Sequence, residues 1–306
     1  MLTDIRYGLR QLIKHPAFTI IAVVTLALGI GANTAIFSVV NAVLLKPLPF
    51  PDPDQLVAIG MTDTRRKDQT TLGSLSYPDF YDFRDQSRTL AFSAVYRDRS
   101  MALTGTDGGA ASLRGVKASG EFFDVLGIKP KIGRAFVRED EQPGGGTGGF
   151  KVIISHDFWQ KNFAGDPNVV GRTVVLDRRP HTVIGVMPAG FQFPIQNDPV
   201  DLYVSTAEDA ANPDGSTPQT KQRGSHGMQA VARLKPGATV AQAQSDLSAI
   251  AAALSKQYPE SNTHFGVLAK PLREEMIGDV RTALYILFGA VVCVLLIANA
   301  NVANLL

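Results

Sequence analysis

From Phe18 to Leu45 the sequence contains no Asp, Glu, Lys, Arg or His, and no other feature narrows so sharply what the chain can become. As a helix rising about 1.5 Å per residue the run reaches about 42 Å, against about 30 Å of bilayer hydrocarbon. A secretory signal would end after an apolar core of about 7 to 15 residues and a small-residue cleavage site. Gly31-Ala32-Asn33-Thr34-Ala35 imitates such a site, but Ile36 to Leu45 stays apolar beyond it. The run therefore reads as a retained transmembrane helix, placed at 17–45. A second charge-free run, Ala283 to Leu306, predicts a return span at 283–306. No Lys or Arg follows it, so it reads as the truncated edge of a longer protein.

Orientation follows from charge. Arg6, Arg10 and Lys14 against a single Asp4 precede the first run, so the positive-inside rule places the N-terminus in the cytoplasm and residues 46–282 outside. All but three of the 30 basic residues and all but one of the 28 acidic ones lie in that outer region, which is thus formally neutral. It lacks the basic footprint of a nucleic-acid binder. The sole cysteine, Cys293, falls in the second run, so the outer region folds without an internal disulfide and Cys293 reads as a packing residue.

Residues 1–16 carry a second pattern. Leu2, Ile5, Leu9, Leu12 and Ile13 fall within about 100° of helical arc, and Arg6, Arg10 and Lys14 lie outside it. The stretch is either an amphipathic helix on the cytoplasmic membrane surface or simply the basic flank of the span. Within the spans, Ala27, Gly31 and Ala35 form a small-residue stripe, and Asn33, Asn41, Asn299, Asn301 and Asn304 need hydrogen-bond partners away from lipid. These residues suit a polar-seamed helix bundle; the alternative is asparagines near the interface, where they cost little.

Beyond the extended exit Lys46-Pro47-Leu48-Pro49-Phe50-Pro51, the pattern predicts an α+β domain. Strands are expected at 56–59, 92–96, 112–116, 152–155, 173–176, 181–186, 228–234 and 265–269. The clearest helix runs from Val240 to about Lys256, with Val240, Ala243, Leu247, Ile250, Ala251 and Leu254 as its buried stripe and Thr239 with Gln242 as a capping box. Loops at 142–149 and 207–227 interrupt the alternation, and about 120–225 reads as an inserted lobe.

Motifs for chemistry are weak. In Gly-Gly-Gly-Thr-Gly-Gly-Phe-Lys, Gly144 to Lys151, Phe150 separates the last glycine from the lysine and no Ser or Thr follows, so the stretch reads as a flexible surface loop rather than a phosphate loop. The histidines at 15, 156, 181, 226 and 264 show no metal-ligand spacing. Asp79, Asp82 and Asp85 recur every third residue among aromatics; a cation site is one reading, an amphipathic helix with its carboxylates in water the simpler one. No serine sits in a Gly-x-Ser-x-Gly elbow. The chain therefore reads as non-catalytic, with no cofactor or metal of its own.

The stretches DIRYGLRQLIKHPAFTIIAVVTLALGIGANTAIFSVVNAVLLKPLPFPDPDQLV, GEFFDVLGIKPKIGRAF, ISHDFWQKNFAGDPNVVGRTVVLD, HTVIGVMPAGFQFP and ARLKPGATVAQAQSDL, with ANVANLL at the end, together resemble the MacB/FtsX-like ABC transporter permeases, in particular the duplicated permeases of acidobacteria. The resemblance implies a bacterial inner-membrane protein with an amphipathic helix, a first span, a periplasmic core of porter-like base and inserted sabre-like lobe, and three further spans, so that two transmembrane helices of this sequence flank the core. It also implies mechanotransmission, in which a separate cytoplasmic ATPase binds ATP and drives the periplasmic lobes. Expected partners are that ATPase, a second permease copy or duplicated half, a periplasmic adaptor and the lipid bilayer. Two spans around an outer domain also describe a membrane-anchored sensor of a signalling receptor, or an anchored extracytoplasmic enzyme, which would need a clustered polar cleft.

Overall fold

The computed structural model describes residues 16–41, 46–66, 70–104, 110–195, 198–211 and 215–305. In chain order the elements are α1 (Pro16–Val40), β1 (Leu56–Asp63), α2 (Tyr77–Gln86), β2 (Leu90–Thr104), β3 (Ala110–Ala118), α3 (Phe122–Leu126), β4 (Ile132–Gly133), β5 (Lys151–Ile154) and α4 (His156–Phe163). There follow β6 (Thr173–Leu176), β7 (Arg179–Val186), β8 (Leu202–Ser205), β9 (Gln229–Leu234), α5 (Val240–Gln257), α6 (Pro259–Asn262), β10 (Phe265–Pro271) and α7 (Leu272–Leu305). Two compact units result, one of Met1–Leu48 with Glu274–Leu306, the other of Pro49–Arg273.

Among its described residues the first unit is built mainly of α1 and α7. Val23–Val40 of α1 is long and apolar enough to cross a membrane; α7, bent by 59° between Leu272–Gly278 and Arg281–Ile297, passes the same test when its two parts are taken together. The polar residues of α1 stay compatible with lipid by bonding backward: Thr34 Oγ1 donates to Ile30 O and Ser38 Oγ to Thr34 O, each at 2.8 Å. The structure thus holds a mixed α+β domain flanked by at least one apolar helix.

The second unit is built on one sheet, ordered β10-β1-β9-β2-β3-β8-β5-β7-β4, with β6 pairing to β2 and β7. Pairs β3–β8 and β5–β7 are parallel and the others antiparallel. The long strand β2 is staggered: Leu90 to Tyr96 pair with β9, whereas Tyr96 to Thr104 pair with β3 on the other side. Asp177 and Arg178, both at positive φ, make the two-residue turn from β6 to β7 that a tight hairpin requires.

Two apolar cores lie along this sheet. The first gathers Val57, Ile59, Phe80, Phe83, Val95, Ala232, Leu247, Leu254 and Val267, and so comes from both sequence ends of the unit. Helix α5 supplies it with Ala243, Leu247, Ile250, Ala251 and Leu254; Thr239 and Gln242 form the capping box, and Val240 packs half-buried at its margin. The second core gathers Met101, Val152, Ile154, Phe158, Trp159, Leu176, Val183, Leu202 and Val204 from the middle of the sequence. Aromatic rings fill the space around α3: Phe122 meets Tyr96, Phe123 and Phe193 at centroid distances of 5.2–5.7 Å, and Tyr203 Oη donates to Phe193 O at 2.9 Å.

Candidate functional site

The residues expected to carry motion are the amphipathic face of 1–16 and the small-residue stripe of the first span, with the asparagines of both spans as packing residues. Leu2, Ile5, Arg6, Leu9, Arg10, Leu12, Ile13 and Lys14 lie outside the described residues. Asn33 is placed where a polar residue in an apolar helix has a use: its Nδ2 donates to Gly29 O at 2.8 Å and across to Val291 O of α7 at 3.3 Å. One turn on, Phe37 and Phe288 meet at 6.5 Å between ring centroids. Asn41 uses its carbonyl, which accepts from Lys46 N at 2.9 Å. Ala27, Gly31 and Ala35 are exposed, and a Cβ built on Gly31 would meet nothing within 4 Å. Asn299 is also exposed, and the side chains of Asn301 and Asn304 lie outside the described residues.

The outer domain holds a buried ionic network that sequence reading missed. Lys117 Nζ, on a side chain with 0% exposure, lies 2.7 Å from Asp209 Oδ1 and 3.5 Å from Glu208 Oε2. Arg97 reaches Asp209 at 3.4 Å, and Arg99 reaches Asp177 at 3.0 Å and Glu208 at 3.7 Å. Tyr77 Oη donates to Asp209 Oδ2 at 2.7 Å, and His181 Nε2 stands 3.3 Å from Glu208 Oε1. Burial pushes the Glu208 carboxyl up, but His181, Lys117 and Arg99 outweigh it and hold the group at about 2. Burial beside Asp209 drives the Tyr77 hydroxyl well above the usual phenol range.

A second knot centres on Asp79. The expectation of a solvated carboxylate face on α2 fails here: the Asp79 side chain is wholly buried, whereas Asp85 remains exposed. Ser76 caps the helix and donates to Asp79 Oδ2 at 2.6 Å; Asn262 Nδ2 and Arg223 Nη1 donate to Oδ1 at 2.8 and 2.6 Å. Arg223 also binds Asp82 at 2.7 Å and stacks over Tyr258 at 3.9 Å. Burial raises the Asp79 carboxyl, and His226, Ser76, Asn262 and Arg223 together lower it below its ordinary range. The 215–227 segment is thereby tied to α2 and α6.

The glycine-rich loop has its own answer. Lys151 Nζ donates to Gly145 O at 3.0 Å, to Thr147 O at 2.9 Å and to Gly149 O, so the loop wraps its carbonyls around a buried ammonium. A phosphate cradle presents amides outward; this loop presents acceptors inward. Among the described residues no group of three His, Cys, Asp or Glu could hold a metal ion. In these two knots and in the glycine-rich loop, buried charged side chains meet opposite charges or backbone carbonyls, which ties distant segments of the outer domain together.

Comparison with known proteins gives the same direction. Residues 19–250 match the family model of the MacB-like periplasmic core domain. An 81-residue stretch is 41% identical to the macrolide export ATP-binding/permease protein MacB of Neisseria gonorrhoeae, and likewise to that of Neisseria meningitidis serogroup B; it covers 25% of this chain and 11% of each relative. The match thus spans about a tenth of the length of these curated relatives. Among solved structures, a domain of a permease protein from Porphyromonas gingivalis superposes with a TM-score of 0.51 at 15% identity, over 73% of this chain and 93% of that one. The likeness supports the fold of the outer domain.

Proposed function

Because the chain belongs to the MacB-like periplasmic core domain family, we propose that it is the permease subunit of an ABC transporter and couples ATP hydrolysis in a separate cytoplasmic ATPase to movement of its outer domain. The protein is membrane-associated and carries an extracytoplasmic domain. In this reading 17–45 and 283–306 span the bacterial inner membrane, residues 1–16 lie on its cytoplasmic surface, and 46–282 form the periplasmic core. A sabre-like lobe at about 120–225 stands on a porter-like base; the two apolar cores, one from the ends of the unit and one from its middle, support that division. ATP is bound by the partner ATPase, and a second permease copy or duplicated half, with a periplasmic adaptor, completes the assembly. The acidobacterial duplicated permeases are the proposed subgroup, with efflux or export as the output.

The carrying observation is that one family model runs through the first apolar helix and on into most of the outer domain, so span and domain belong to a single device. Helix α1 and its Asn33 contact to α7 are the proposed transmission elements. Purification of the tagged protein from its own membranes should recover an ABC ATPase whose hydrolysis rises when the two are combined in lipid nanodiscs. Recovery of a signalling kinase in its place would replace transport by sensing. Topology has its own test: in a Cys293→Ala background, a cysteine at Thr147 should react with a membrane-impermeant maleimide on intact spheroplasts, and one at Thr3 only after permeabilisation.

A further inference from the structure

Strand β10 ends the sheet order, with β1 on one side and, among the described residues, no strand on the other. Its first five residues, Phe265-Gly266-Val267-Leu268-Ala269, carry no charge, and its only proline is Pro271, the last residue of the strand. Native edge strands usually deter further pairing by charge, proline or a bulge. Lys270 and Pro271 serve that end of β10, and a further device guards its uncharged part. Gln244 of α5 accepts from Ala269 N through Oε1 at 2.8 Å and donates from Nε2 to Val267 O at 2.9 Å. Its Nε2 also donates to Ser248 Oγ at 2.8 Å, which fixes the amide in place. The Ala269 donor and Val267 acceptor belong to residues that sit opposite Ile59 and Met61, and both groups point away from β1. One side-chain amide therefore occupies a donor and an acceptor that a further strand would use.

We propose that Gln244 is a built-in block on strand addition, which closes the β10 edge against pairing with the same edge of a second copy of this chain. The second copy is the occupant that the sequence fits. Antiparallel pairing about a two-fold axis at Val267 sets Val267 against itself and Phe265 against Ala269, apolar against apolar, with no like charges opposed between 265 and 269. So short a run needs its edge groups free, and Gln244 holds two of them.

The test compares the full chain in detergent micelles with Gln244→Ala, reading amide exchange across 263–271 and the mass of the protein in the micelle over a range of protein concentrations. In the parent chain, exchange in β10 is independent of concentration. In the variant at low concentration, the Ala269 amide exchanges about five to ten times faster, the loss expected for one hydrogen bond. As concentration rises, that protection returns and the mass doubles relative to the parent chain. Should the alanine variant unfold, Gln244→Met preserves helix propensity and bulk without the hydrogen bonds and must show the same concentration dependence. Exchange that is faster at every concentration, with unchanged mass, would overturn the proposal and leave Gln244 as a tie between helix and strand.

Discussion

At the residue scale the decisive facts are buried charges with partners. Glu208 is held at about 2, below an ordinary carboxyl near 4.5, so its contribution to stability is present above pH 4.5 and is lost as pH falls from about 4.5 towards 2. Glu208→Gln should lower stability at pH 7 by on the order of 3 kcal/mol and flatten the acid limb, as melting of the full chain between pH 7 and 3 will show. If the acid limb is unchanged, the network does not set it. Asp79→Ala leaves Arg223 without one of its two carboxylates and should destabilise by about 3–5 kcal/mol in urea unfolding. Neither site was legible in the sequence, because Tyr77 and Asp209 are 132 residues apart and Asp79 and Arg223 144 apart. The one local signal is Lys117 itself, on the same strand parity as the buried Leu113, where a charge must find a partner. Asn33, by contrast, announced its need in the sequence; what the sequence lacked was the address, Val291, on a helix that only folding brings near.

Helix α5 was readable at the scale of the element, down to its cap, because period and cap are local properties. Thr239→Ala should therefore cost about 1 kcal/mol, measured as a shift of the urea midpoint at constant slope. All eight expected strands formed. The two that went unread have physical excuses: β8 is four residues buried throughout, with no alternation to betray it, and β4 is a two-residue pairing against Gly185 and Val186. In the spans, Asn33→Leu removes the cross-helix bond and should weaken the α1–α7 pairing by about 0.6–2 kcal/mol. Its readout is disulfide yield between cysteines at Phe37 and Phe288 in a Cys293→Ala background; an unchanged yield would mean that apolar packing alone sets the pairing.

For the whole outer domain, the two cores share β2, which gives Leu90 and Val95 to the first and Met101 to the second. Leu247→Ala, a cavity of the first core, should cost about 2–5 kcal/mol and move the unfolding midpoint reported by Trp159, the only tryptophan, which lies in the second. A Trp159 transition that stays put would make the cores separate folding units. The stagger of β2 has a mechanical consequence. β9 grips one half and β3 the other, their registers meet at Tyr96, and bonds between Val95 and Ser119 brace the same point, so a twist passing between those ladders is carried there by the backbone and these ties together. Hydrogen-bonded strands can slip in register, whereas planar peptide units in series cannot, so the continuous backbone of β2 fixes the spacing of the two ladders along the strand.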